Sequence, residues 1–202
     1  MCGEHTMPLV PSPGGGALKV EPRRIVAPLE EALVRELRAG EVVSLSGTLL
    51  TGRDAAHKRM TDLLRAGEPL PFSIKGEVIY YVGPTPAPPG RAIGAAGPTT
   101  SYRMDAYAPL LMEHGLRGMI GKGPRAEAVK EAMIQWGVVY FAAVGGTGAL
   151  ISRCIKKAEI LAWEELGPEA VRRLVVEDLP LIVATDTQGG DLYVTGRQKY
   201  KR

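Results

Sequence analysis

Four glycine-marked turns, each set between a strand-length apolar run and a helical pattern, restrict this chain more than any other feature. They are Thr51-Gly52-Arg53-Asp54, Gly97-Pro98-Thr99-Thr100-Ser101-Tyr102-Arg103, Gly121-Lys122-Gly123-Pro124 and Gly145-Gly146-Thr147-Gly148. A chain that passes again and again from strand through a glycine turn into helix is of the mixed α/β class. Strands are predicted over residues 42–45, 76–82, 118–120, 138–144, 160–161 and 181–184, where β-branched and aromatic residues concentrate. Ser46-Gly47-Thr48 reads as a polar turn closing the first of them. Helical spacing of Leu29, Leu33, Val34 and Leu37 predicts a helix from Pro28 to the stop at Gly40. Further helices are predicted from Asp54 through Leu64, over about 103–114, up to Trp136, through about Lys156, and near Pro168 to Val175. The proline-dense stretch 83–90 is a stiff, shaped connection.

Three segments follow from these patterns. Residues 1–20, with Pro8, Pro11, Pro13 and Gly14-Gly15-Gly16, read as a flexible arm; 21–195 form the domain; 196–202 are a basic tail with the character of a solvated terminus. The net charge of +3 does not single out a nucleic-acid partner. No window is apolar enough for a membrane span, and no basic-then-apolar leader opens the chain. Two cysteines, Cys2 and Cys154, are too few for a disulfide framework or a self-contained metal site. The expectation is a cytoplasmic protein without a membrane partner.

In α/β sheets ligands sit at strand-to-helix turns, and turns rich in glycine, hydroxyls and cations hold anions. The turn at 97–105 carries three consecutive hydroxyls, a cation (Arg103) and a carboxylate (Asp105), so together the four turns suggest one shared anion pocket. Each turn also has a plainer reading. Asp54 offsets a helix dipole without any ligand, and Thr99 and Thr100 are competent N-caps. Lys122 is a solvated loop lysine, or a cation on a backbone that something approaches closely; 145–148 is a tight turn, or part of the pocket. Two phosphate-binding motifs fail on spacing. A P-loop places glycine where this chain has Leu116 and a hydroxyl where it has Gly123, and no turn carries the Gly-x-Gly-x-x-Gly of dinucleotide sites. His57 falls one helical turn from Arg53, in a packing or a site role. Cys154 reads as buried filler.

The order and spacing of Ser46-Gly47-Thr48, Thr51-Gly52-Arg53-Asp54-Ala55-Ala56-His57, Tyr81-Val82-Gly83-Pro84, Gly97-Pro98-Thr99-Thr100 with Arg103-Met104-Asp105, and Gly121-Lys122-Gly123 resemble one family. It is the β subunit, or C-terminal domain, of class I iron–sulfur fumarate hydratase, with L-tartrate dehydratase its close relative. The resemblance runs from about residue 20 to about 193. It implies a swivelling three-layer β/β/α domain with a mixed sheet. The implied activity is reversible hydration of fumarate to L-malate, or dehydration of tartrate to oxaloacetate in the relative. A non-catalytic anion-binding module is the alternative from another class. The implied cofactor is a [4Fe–4S] cluster bound by a partner α subunit, not by this chain, in a heteromer that itself dimerises. By resemblance Arg53, Arg103 and Lys122 bind the carboxylates of a C4 dicarboxylate, and Thr99 transfers a proton next to one of them. Thr100 and Asp105 cap the turn and orient Arg103, with Asp54 and His57 in support. Ser101-Tyr102 stands where relatives commonly carry smaller residues, which reshapes the pocket edge.

Overall fold

The computed structural model describes residues 21–200; residues 1–20, expected to form the arm, and residues 201–202 lie outside it. Along the chain come β1 (Arg23–Ala27), α1 (Glu31–Glu36), β2 (Val42–Thr51), α2 (Asp54–Arg65), β3 (Val78–Tyr80), α3 (Ala108–Glu113) and β4 (Gly118–Gly121). Then follow α4 (Glu127–Trp136), β5 (Val139–Ala142), α5 (Gly148–Cys154), β6 (Ile155–Ala162), β7 (Val171–Thr185) and α6 (Leu192–Tyr200). Two 3-10 turns occupy Ser101–Met104 and Glu164–Glu169. The class is α/β, as the alternation predicts.

The sheet is mixed. Strands β1 to β5 pair side by side in parallel, and β7 runs antiparallel to β5, to β6 and to β2. Because β2, β3, β4 and β5 are parallel, their carboxyl ends leave the sheet along one edge. The turns at 51–54, 97–103, 121–124 and 145–148 all follow that edge.

Alternation within the central strands builds two cores. Val78, Tyr80, Val82, Ile120, Val139 and Phe141 pack with residues of β1, β2 and β7. Their neighbours Ile79, Tyr81, Met119, Val138 and Tyr140 pack instead with Met60 of α2, Leu111 and Met112 of α3 and Met133 of α4. Strands buried on both faces have to be apolar at every position, which is why 76–82 and 138–144 were legible as strands.

Five local expectations are corrected. First, Ser46-Gly47-Thr48 does not end a strand; β2 continues through it, with a register shift against β7 between Leu45 and Gly47. Gly47 adopts φ 108°, and a Cβ there would overlap the carbonyl oxygen of Ala27 on β1, so the glycine marks a bulge with close strand approach. Second, the helix expected over 103–114 is broken into the 3-10 turn and α3. Pro109 has no N–H to give the carbonyl four residues back and is tolerated only in a first turn. Third, the helix expected from 28 to 40 is only the six residues of α1. Fourth, the helix expected near Pro168 to Val175 is the start of β7, where Val171, Leu174 and Val176 are buried in pairing with β2 and β6. Irregular registers there mimic a helical spacing. Fifth, β1 follows the expected arm unannounced, and α6 reaches into the stretch read as a basic tail.

Candidate active site

Arg53 is the last extended residue before α2, with φ −126° and ψ −159°, and its side chain does not cap the helix. Glu169 does so instead, its Oε2 accepting the Ala55 N–H at 2.8 Å while Oε1 lies 3.5 Å from Arg53 Nη2. The Arg53 guanidinium passes over Gly83, where a Cβ would stand 2.7 Å from Nη1, so a side chain there would force the guanidinium to shift. Asp54, the first residue of α2, is shared by two cations. Arg103 Nε donates to its Oδ1 at 2.8 Å, Arg103 Nη2 lies 2.7 Å from Oδ2, and Arg53 Nη2 lies 3.8 Å from the same oxygen. Two guanidinia from elements 50 residues apart in sequence thus meet on one carboxylate.

The second cluster joins the ends of β3 and β4. The Thr99 N–H donates to the Tyr81 carbonyl at 2.7 Å, the Lys122 N–H to the Thr99 carbonyl at 3.3 Å, and the Ser101 N–H to the Lys122 carbonyl at 2.9 Å. Thr100 and Lys122 form a parallel bridge. The side chain of Lys122 is exposed and makes no ion pair among the described residues, and the Thr99 hydroxyl, half-buried, has no hydrogen-bond partner among them. Gly145 lies against Lys122, and Gly148 against Gly97, so the fourth turn closes the same edge.

The structure therefore gathers Arg53, Asp54 and Arg103 in one group and Thr99, Thr100 and Lys122 in another, on one edge. It corrects the supporting roles. Thr100 provides no side-chain cap to the 3-10 turn. Asp105 turns away from Arg103: its Oδ1 accepts Arg125 Nε at 2.6 Å and its Oδ2 the Ala126 N–H at 2.8 Å. The carboxylate that orients Arg103 is Asp54. Of the pair Ser101-Tyr102, Ser101 is buried against the Tyr140 hydroxyl at 2.8 Å and Tyr102 is 65% exposed. Only Tyr102 is placed to shape a rim. Glu169, Arg125, Tyr140 and Tyr193, whose hydroxyl accepts the Gly123 N–H at 2.9 Å, were missed by sequence reasoning. Glu169 had no local signal, whereas Arg125 stood two residues beyond the 121–123 turn.

His57 is fully buried on α2, edge-on to Tyr81 with centroids 5.2 Å apart. Its Nδ1 lies 2.9 Å from the Arg53 carbonyl, which can only accept, so Nδ1 carries the proton; Nε2 is enclosed without a partner. Burial, with a contribution from the Arg125 charge, pulls its pKa from 6.5 down to about 4. His57 is therefore neutral at pH 7 and supports Arg53 through its backbone. Its depressed folded pKa stabilises the fold fully above about 6.5, and that contribution is lost as pH falls towards 4, at about 1.4 kcal/mol per pH unit. Urea titrations between pH 4 and pH 7 are expected to show this slope, and His57→Phe to flatten it even where its overall stability is lower.

Two arginines, a lysine and a threonine whose hydroxyl has no partner among the described residues thus stand on the carboxyl edge of the parallel strands, groups whose chemistry suits an anion. A family model described as Fumarase C-terminus matches residues 16–196, and the chain belongs to this family, the C-terminal or β-type domain of the fumarase and tartrate dehydratase enzymes. It is 39% identical to "Fumarate hydratase class I, anaerobic" of Escherichia coli over 89% of this chain and 33% of that protein. With "Fumarate hydratase 2" of Leishmania major it shares 38% over 88% of this chain and 31% of that one. It is 36% identical to "Putative L(+)-tartrate dehydratase subunit beta" of Methanocaldococcus jannaschii, over 79% of this chain and 85% of that one. The chain thus spans about one third of these two fumarate hydratases and most of the dehydratase subunit.

Proposed function

We propose that this chain is the β subunit of a heteromeric, [4Fe–4S]-dependent hydro-lyase that reversibly hydrates fumarate to L-malate in the cytoplasm. The observation that carries the reading is the convergence of Arg53 and Arg103 on one carboxylate beside the two turns that bear Thr99 and Lys122. Guanidinium forks hold and orient carboxylates, and a C4 dicarboxylate brings two negative charges that call for several cations. The relatives named as hydratases and as a dehydratase subunit support the reaction class.

The donor set of the described residues does not fit a cluster. Among the described residues Cys154 is the free cysteine, half-buried with its thiol pushed up by burial, and no group of three or more His, Cys, Asp or Glu could hold a metal. A cluster in this enzyme belongs to an α subunit, and this chain's own work is binding, orientation and proton transfer. Arg53 and Arg103 grip one substrate carboxylate in place of, or alongside, Asp54. Lys122 supplies a free cation towards the second. The Thr99 hydroxyl, fixed through its backbone at both N–H and carbonyl, exchanges the proton at the carbon next to the carboxylate. An unassisted threonine hydroxyl is a poor base, so this step needs a partnering group or a polarised site to draw off its proton. His57, neutral and enclosed, takes no proton in this scheme.

The fold reading extends to a three-layer β/β/α domain that swivels against its partner. The two cores on opposite faces of β3, β4 and β5 support the layering: one takes in α2, α3 and α4, the other β1, β2 and β7 together with Val34 of α1 and Ile151 of α5. The 36% identity to a putative L(+)-tartrate dehydratase β subunit favours a second reading, L-tartrate dehydration to oxaloacetate. Profiling the anaerobically reconstituted complex against fumarate, malate and both tartrates separates the two. Turnover of fumarate with tartrate rates at background is expected. Tartrate turnover exceeding fumarate turnover establishes the second reading, and binding without turnover of any of them establishes a non-catalytic module.

A further inference from the structure

The Arg125 side chain has 0% exposure, although the family-type site residues do not include it. Its Nε meets Asp105 at 2.6 Å, and its guanidinium lies 5.4 Å from the Tyr81 ring and 5.1 Å from the Tyr140 ring. Nη1 reaches the Met119 sulfur at 3.1 Å, and Nη2 is buried without a partner. Such a cation is a poor way to stabilise a fold, since replacing buried ion pairs with apolar side chains is often neutral or stabilising.

What Arg125 touches is more telling. Tyr81, on one side, holds the Thr99 N–H through its carbonyl at 2.7 Å. Tyr140, on the other, connects the Ser101 hydroxyl at 2.8 Å to the Gly123 carbonyl at 2.9 Å. Asp105 ends the 3-10 turn that carries Arg103, and its second oxygen takes the N–H of Ala126 at the head of α4. Tyr81, Tyr140 and Asp105, three of the groups against the guanidinium, thus each join one of the two turns that bear Thr99, Arg103 and Lys122.

We propose that Arg125 is a positioning residue which, from behind the site, locks the turn 97–105 against the turn 121–124. The proposal rests on the carboxylate-binding reading above. Through Asp105 it fixes where the Arg103 turn ends, and between the two tyrosines it fixes the backbone that presents Thr99 and Lys122. A guanidinium suits this place because it lies against two rings while donating to Asp105, whereas a lysine matches the charge alone.

The test uses the assembled complex of this chain with its partner subunit, carrying Arg125→Met, Arg125→Lys or neither. Steady-state kinetics with fumarate is read beside amide hydrogen exchange of peptides covering 97–106, 119–126, β2 and β7. In Arg125→Met, kcat/KM is expected to fall at least about tenfold and exchange in both turns to rise about tenfold, with β2 and β7 unchanged. Arg125→Lys is expected to fall between it and wild type. Exchange in the turns equal to wild type overturns the proposal, as does a rise shared equally by β2 and β7, which marks a general structural role. If Arg125→Met does not assemble, Asp105→Asn, which keeps the cation in place, decides by the same two readouts. A wild-type complex without hydratase activity sinks the proposed function, while the exchange pattern still decides for or against Arg125.

Discussion

Replacement of Thr99 by alanine in the assembled enzyme is expected to lower kcat by about 10²–10⁴ while KM stays within about threefold. The expectation follows from how Thr99 is held. Its N–H and carbonyl are both engaged, to Tyr81 and Lys122, so its backbone position does not depend on its side chain. The hydroxyl has no partner among the described residues that its loss would strand. Truncation therefore removes a reacting group and leaves binding cations and fold in place, and kinetics should show a turnover defect with unchanged thermal stability. Thr99→Ser, which keeps the hydroxyl, is expected to recover much of the rate. A Thr99→Ala enzyme with wild-type kcat assigns the proton transfer to another group.

Arg103→Ala is expected to act differently, lowering kcat/KM by about 10²–10³ with both kcat and KM affected. Part of the loss is the missing fork for the substrate. The rest comes from Asp54, whose oxygens lie 2.8 Å and 2.7 Å from Arg103 but 3.8 Å from Arg53. Without Arg103 a poorly neutralised carboxylate remains where an anionic substrate has to bind. The double variant Arg103→Ala, Asp54→Asn is accordingly expected to have a lower KM than Arg103→Ala alone. Non-additivity of this kind is the signature of groups that share one partner. Arg103→Lys is expected to rescue little, because a lysine cannot reproduce two parallel donors.

The reach of the sequence follows the range of the interactions. Glycine turns and β-branched runs are local, and they placed the parallel strands and the edge on which the site lies. Arg53, Thr99, Arg103 and Lys122 stand on those turns, so their gathering on one edge was legible, through a family motif written on the same residues. What was misread depends on partners distant in the chain. Ser46-Gly47-Thr48 looked like a turn because the bulge that Gly47 makes is defined only against β1 and β7. The start of β7 looked helical because its irregular pairing with β6 disturbs the strand alternation. Asp105 was assigned to Arg103, two residues away, whereas it meets Arg125, 20 residues on; Asp54, 49 residues away, meets Arg103. Glu169 lies 114 residues from the Ala55 N–H it caps. Ion pairs of this kind are set by topology, and no spacing rule reaches them.

In the proposed function this chain brings carboxylate-binding cations and a proton-transferring threonine to a reaction it completes only with another polypeptide. That dependence is tested most directly by anaerobic fumarate hydration measured for three samples: this chain alone, its cluster-bearing partner alone, and the two combined. The expected result is malate formation in the combined sample and none above background in either component. Malate formed by this chain alone, or by the partner at the rate of the combined sample, contradicts the claim.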